Sequence, residues 1–272
     1  MKSRIRIIAA VLFLTCLTVS GADADVGIVG GLVHEKTAGP GEIYEGSIIV
    51  KNQGDRPEEI RIYQTDYLCY FDGTNDYNSP GELERSNANW VSFNPHRMII
   101  PSKSIAKINY TLKVPSDPNL EGTYWSMLMI EEIPANSPLS SQAESAELQV
   151  GIIQIVRYGI QMTTHIGDSG ERKLEFLETK LLKETEGRVL QVDIENTGQR
   201  FIRPYLWADL YDENGRYIGR FDSDRKRIYP GASVRYEVNL SSVPEGDYKA
   251  LVVADGGGDY IFGANYTLKF EK

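Results

Sequence analysis

Cysteine and histidine are scarce in this chain. Of its 272 residues two are cysteine, Cys16 and Cys69, and three are histidine, His34, His96 and His165. Cys16 falls in an N-terminal leader, so the mature chain keeps Cys69 alone and can form no intramolecular disulfide. Cys69 sits in a strand-like run, Asp66 to Phe71, and reads as a small buried hydrophobe. The histidines are scattered without metal-ligand spacing, and each reads as a surface or turn residue. No G-x-S-x-G elbow or phosphate loop is present, and no nucleophile–base set assembles. The expectation is a non-enzyme that needs no cofactor and no metal. Basic excess is also absent. The net charge is −9 and the pI about 5.0, which excludes nucleic acid as a partner because phosphate binding needs a basic stripe.

Long apolar runs are missing outside the N-terminus. There, Lys2, Arg4 and Arg6 precede an apolar stretch from Ile7 to Val19, followed by Ser20-Gly21-Ala22-Asp23-Ala24. This pattern predicts a secretory signal peptide over 1–24, cleaved after Ala24. The run is shorter than the ~20 apolar residues of a membrane span, so no span is expected after cleavage.

What remains has ordinary globular composition, 41% hydrophobic and 25% charged, in a length that suits two domains of about 100–150 residues. Short alternating or apolar runs recur between turn residues. In the first half they are Ser47 to Lys51, Glu59 to Tyr63, Trp90 to Phe93, Ile105 to Leu112 and Thr123 to Ile130. The second half has Tyr205 to Tyr211, Lys249 to Ala254 and Tyr266 to Phe270. Asn214-Gly215 predicts a primed hairpin turn, and Asp255 to Asp259 a second hairpin. No helical period is sustained, so the spacing predicts β-sandwiches.

The two halves echo each other. Ile48 through Asn52 to Gly54 matches Val192 through Asn196 to Gly198, Pro101 to Ile108 matches Pro230 to Tyr236, and Val114-Pro115 matches Val243-Pro244. The expected fold is therefore all-β, two tandem immunoglobulin-like β-sandwiches after the signal peptide, with domains at 25–140 and 146–272.

The longest β-favouring run is 147–165. Its even positions Leu148, Val150, Ile152, Val156, Tyr158, Ile160 and Met162 are apolar or aromatic, with Gln154 the exception. Alternation places them on one face of a strand that closes one domain and leads into the next.

Several motifs occur in an order that resembles the N-terminal domain of the PapD-like periplasmic pilus-assembly chaperones. They are Pro40-Gly41 leading to a strand ending at Asn52, Trp90 to Pro95, Met98 to Pro101, Val114-Pro115-Ser116-Asp117-Pro118, and Tyr124-Trp125 through Ile133-Pro134. After them stands the alternating stretch described above. The resemblance covers about the first 140 mature residues, and the second half looks like a generic bacterial immunoglobulin-like domain.

In that family the alternating strand completes a pilin subunit that lacks its own last strand. The resemblance implies that Leu148, Val150 and Ile152 plug the subunit groove and that Arg157 anchors the subunit's C-terminal carboxylate. The family's second basic anchor has Lys36 as its nearest counterpart here and His34 as the next. The aromatic and proline residues usual after the basic strand residue are replaced by Tyr158-Gly159-Ile160.

The expected function is thus that of a secreted, periplasmic chaperone-like protein that binds pilin-like subunits by strand addition. An open strand edge would also allow self-association. The alternative is a secreted adhesive or structural immunoglobulin-like protein that binds a cell-wall polymer or surface partner, for which an exposed aromatic platform would speak.

Overall fold

A computed structural model describes residues 25–134, 137, 139–141, 155–184 and 187–270 of the chain. Its elements, in order, are β1 (Val26–Val29), β2 (Val33–Ala38), β3 (Ile43–Asn52), β4 (Glu58–Cys69) and β5 (Asn75–Asn78). A 3-10 turn at Ala88–Trp90 precedes β6 (Val91–Asn94), β7 (Arg97–Ile100), β8 (Ile105–Lys113), β9 (Gly122–Ile133) and β10 (Arg157–Ile166). The remainder is β11 (Leu174–Glu184), β12 (Gly187–Asn196), β13 (Tyr205–Asp212), β14 (Tyr217–Asp222), β15 (Ser233–Asn239), β16 (Gly246–Asp255) and β17 (Ile261–Phe270).

The protein is all-β and forms two sandwiches. In the first, a sheet ordered β1-β3-β8-β6 faces a sheet ordered β2-β10-β9-β4-β5, with β7 also paired to β4. In the second, β11-β12-β15 faces β14-β13-β16-β17. Each sandwich has its own apolar core. Ile48, Ile60, Ile108, Leu112, Leu128 and Ile160 fill the first, and Leu190, Ile194, Leu206, Tyr236 and Val252 the second. Inward side chains recur at every second residue, as a pleated strand between a core and solvent requires.

The repeat seen in the sequence is a repeat of structure. Asn52, fully buried at the end of β3, donates from Nδ2 to the carbonyls of Arg56 (2.7 Å) and Ile100 (3.0 Å) and accepts from Gly54 N (2.8 Å). Asn196, fully buried at the end of β12, donates to the carbonyls of Arg200 (2.8 Å) and Ile228 (2.9 Å) and accepts from Gly198 N (3.0 Å). One amide thus satisfies three backbone groups where a strand leaves each sheet.

Two expectations are corrected. First, the ladders place 157–166 in the first sandwich, whereas the sequence reading starts the second sandwich at 146. β10 pairs antiparallel with β9, from Arg157 opposite Glu131 to Ile166 opposite Gly122, and parallel with β2. Second, the turn at Asn214-Gly215 is not primed, because Gly215 alone has positive φ (+78°). Gly215 N donates to Asp212 O (2.9 Å), Asp212 N donates to Arg216 O (3.0 Å), and the register slips at Tyr211. That is a type I turn closed by a left-handed glycine and a bulge. The Asp255 to Asp259 turn does join a hairpin, β16 to β17.

The sandwiches meet across an aromatic junction. Trp125 of β9 stacks on Tyr229 at 4.8 Å, Phe201 lies 5.0 Å from Tyr229, and half-buried Cys69 packs beside them. Burial pushes the Cys69 thiol pKa up. Gly122 (φ +79°) opens β9 against the second sandwich, where a Cβ would lie 2.1 Å from Gln199 O. That same carbonyl accepts Thr123 N at 2.9 Å.

Below β9, buried Glu59 on β4 gathers Arg97 Nε (2.5 Å), Ser140 Oγ (3.1 Å), Ser141 Oγ (2.7 Å) and Ser141 N (2.9 Å). It thereby holds residues 140 and 141 to the sheet.

A candidate partner-binding edge on β10

β10 shows why its sequence alternates. Ile160, Met162 and Ile166 point into the first core, and Thr164 joins them by accepting Asn87 Nδ2 (3.1 Å) and sharing a hydrogen bond with the Tyr44 hydroxyl (2.9 Å). Arg157, Gly159, Gln161, Thr163 and His165 occupy the outer face.

The second sandwich covers the late part of that outer face. The hydroxyls of Thr163 and Tyr229 bond at 2.9 Å, and Tyr229 donates to Gln161 Oε1 at 3.0 Å. His165, expected at the surface or in a turn, is buried at this junction. Its Nδ1 bonds the Thr123 hydroxyl at 2.8 Å and its Nε2 lies 3.1 Å from Glu35 Oε1. Burial lowers the His165 pKa, against the pull of Glu35. Burial alone would raise the Glu35 pKa, but hydrogen bonds from Arg227 (3.0 Å) and His165 outweigh it and leave it low. The sequence does not bring Glu35, His165 and Arg227 together, because Glu35 stands 130 residues from His165 and 192 from Arg227 and meets them only through the fold.

The early part of the strand is different. β2 begins to pair only at Val33 opposite Gln161, and Gln161 N donates to Leu32 O at 2.8 Å. Peptide groups alternate sides along a strand, so those of Arg157 and Gly159 point the same way as Gln161's. No strand among the described residues lies beside them on that side. Among the described residues, no strand pairs this edge from Arg157 to Ile160.

Across the sheet, side chains on the outer face stand in rows. Arg61, Glu131 and Arg157 form the first, Tyr63, Met129 and Gly159 the second, and Thr65, Met127 and Gln161 the third. Glu131 is buried and takes Arg157 Nε at 2.9 Å, Arg61 Nη2 at 2.9 and 3.0 Å, and the Tyr63 hydroxyl at 3.0 Å.

Of the residues singled out in the sequence, Arg157 therefore lies at the open edge, already paired with a carboxylate of its own sheet. Lys36 is exposed on β2 opposite Thr164, seven residues along β10 from Arg157. At roughly 3.3 Å per residue that separation is about 23 Å, so the two cations are not brought together. Lys36 instead borders a separate cavity of about 340 Å³ with His34, Glu35, Tyr44 and Tyr110. His34 bonds the Tyr110 hydroxyl there at 2.9 Å, and burial lowers its pKa. Leu148, Val150 and Ile152 lie outside the described residues. Among the described residues, no group of three or more His, Cys, Asp or Glu side chains could hold a metal, and no helix is long and apolar enough to cross a membrane.

No family model and no curated protein matches the chain. Solved structures that are similar to it include pilus chaperones. One is the chaperone–tip adhesin complex of CFA/I fimbriae biogenesis, with 12% identity, TM-score 0.47, and coverage of 90% of this chain and 98% of that one. Another is the CsuC–CsuE chaperone–tip subunit complex of Acinetobacter baumannii Csu pili, with 13% identity, TM-score 0.44, and coverage of 88% and 98%. A third is the Salmonella enterica SafA pilin in complex with the SafB chaperone, with 13% identity, TM-score 0.42, and coverage of 89% and 96%.

Proposed function

We propose that this protein binds secreted protein subunits by strand addition along the open edge of β10, in a chaperone-like role in pilus or surface-fibre assembly. The observation that carries the reading is that edge: from Arg157 to Ile160, β10 has β9 on one side and no described strand on the other. Backbone groups left unpaired in this way template an incoming strand. The motifs shared with PapD-like chaperones supply the partner class, pilin-like subunits, and the compartment, the periplasm. Leu148, Val150 and Ile152 would extend the same edge as groove plugs, and Arg157 would present its guanidinium at the start of β10. Lys36, about 23 Å away by strand spacing, would act at a separate contact.

The experiment is recovery of the tagged mature protein from its native envelope, compared with Gly159→Pro. Proline removes one outward N–H from the edge. A stoichiometric complex with a small secreted β-protein, lost in the variant at unchanged Tm, is the expected result. A complex that survives Gly159→Pro would exclude this edge.

One observation favours a second reading, adhesion to a cell-wall polymer. Tyr205, Trp207 and Tyr211 share the outer face of β13, with Tyr217 beside Tyr211 on β14. Arg220 lies over the Trp207 ring at 4.4 Å and so occupies one face of this platform. Sedimentation of the protein with purified wall polymer, reduced by Tyr205→Ala, would move this reading to the front.

A further inference from the structure

The outer face of β10 is interrupted where its edge is open. Gly159 has no side chain, and beside it lies a cavity of about 380 Å³ lined by Tyr63, Thr65, Tyr77, Met127, Met129 and Arg157. A Cβ at Gly159 would stand 2.6 Å from Met127 Cε and 3.4 Å from the sulfurs of both Met127 and Met129. Glycine inside a strand marks a place where another group approaches closely. Methionines are the side chains that repack most readily around what enters. One row away, Arg61 and Arg157 share the carboxylate of Glu131, so among the described residues this row carries two cations to one anion. The Arg157 side chain is 56% exposed.

We infer that the strand added at this edge carries an acidic residue opposite Arg157 and, two positions away, an aromatic residue opposite Gly159. The inference rests on the strand-addition reading and names the sequence that reading would select. Side chains two apart on a strand share a face, so the added strand extends the two rows by one position each. In the first row its carboxylate meets the excess guanidinium charge. In the second its ring finds no side chain on Gly159 and lies across the glycine into the cavity against Met127 and Met129. A ring crossing a glycine is a recognised way of filling such a gap, and thioether–ring contacts add to it.

The test uses the mature protein and synthetic eleven-residue peptides of alternating Thr and Val. Their central residues are Glu-Thr-Phe, in either order, with Glu-Thr-Ala and Lys-Thr-Phe as comparisons. Binding is read by calorimetry and by the methyl NMR signals of Met127 and Met129. The Phe peptide is expected to bind about tenfold tighter than the Ala peptide, the scale of burying one aromatic side chain. It is expected to bind about threefold tighter than the Lys peptide, the scale of a cross-strand charge pair. Gly159→Val should abolish the Phe preference while leaving Ala-peptide binding in place, and Arg157→Glu should reverse the preference between Glu and Lys.

Equal binding of the Phe and Ala peptides would overturn the inference and leave strand addition standing. If no peptide binds, p-cresol is titrated alone. Shifted Met127 and Met129 methyl signals would then keep the aromatic cavity and remove strand addition, and unshifted signals would remove both.

Discussion

At the scale of single residues, the buried carboxylates do most to tie distant segments together. Glu59 is the clearest case. Its hydrogen bond with Arg97 is the largest influence, and with those from Ser140 and Ser141 it overcomes burial and brings the carboxyl pKa down from 4.5 to about 2. A carboxyl whose pKa is depressed on folding stabilises the folded state fully above its unfolded value and loses that stabilisation as pH falls toward the folded one. The window is therefore from 4.5 down to about 2. Glu59→Gln removes the charge while keeping the shape. Thermal melts should show the wild type ahead at neutral pH and the two proteins converging as pH drops through that window. A constant gap across it would show that Glu59 is not the titrating group. None of this was legible in the sequence, where Glu59 is one of the charged positions of an alternating strand. The burial of a charge depends on what the opposite element brings to it, here Arg97 from β7 and the serines at 140 and 141.

At the scale of elements, the sequence was most readable where one face was apolar and the other not. β8, β9, β13 and β16 lie where alternation and turn residues placed them. β11 was missed. Its run Leu174-Glu-Phe-Leu-Glu-Thr-Lys-Leu-Leu-Lys-Glu184 breaks alternation, because the register shifts between Phe176 and Thr179 and side chains change faces there. β5 was missed because it lies inside a polar turn region and buries little. The alternation of β10 is legible in the sequence over its described part, but a period of two does not say where a closing strand hands over to the next unit, and 157–166 pairs wholly within the first sandwich. The candidate edge was legible in part. Arg157 could be picked out by resemblance, whereas the gap at Gly159 becomes visible only when β9 and β4 supply Met127, Met129 and Tyr63.

Element starts also carry constraints of their own. At Gly122 both the positive φ and the 2.1 Å approach of Gln199 O forbid a side chain. Gly122→Ala should cost about 1–3 kcal/mol for the backbone conformation alone. Tm should fall by roughly 5 °C or more. An unchanged Tm would mean that neither the left-handed backbone nor the approach of Gln199 O constrains this position.

At the scale of the whole molecule, two sandwiches with separate cores share a junction of rings and hydrogen bonds. Trp125, Phe201 and Tyr229 fill it, and Thr123, Thr163 and His165 lend it polar partners. The junction covers the outer face of late β10 and β2 takes the peptide groups of that part, so among the described residues only the early part keeps outward peptide groups that no strand pairs.

The paired asparagines turn this architecture into its own measuring device. Asn52→Ala and Asn196→Ala delete the same three bonds from the same corner of each unit, at a cost on the order of 3 kcal/mol apiece if the freed backbone groups stay dry. Because the perturbation is matched, any inequality between the two melts reports the surroundings and not the chemistry. If the halves unfold independently, calorimetry should split each variant into one shifted and one unshifted peak. If the junction couples them, either deletion should move a single peak, and the size of the smaller shift becomes a calibrated reading of how much stability one half borrows from the other.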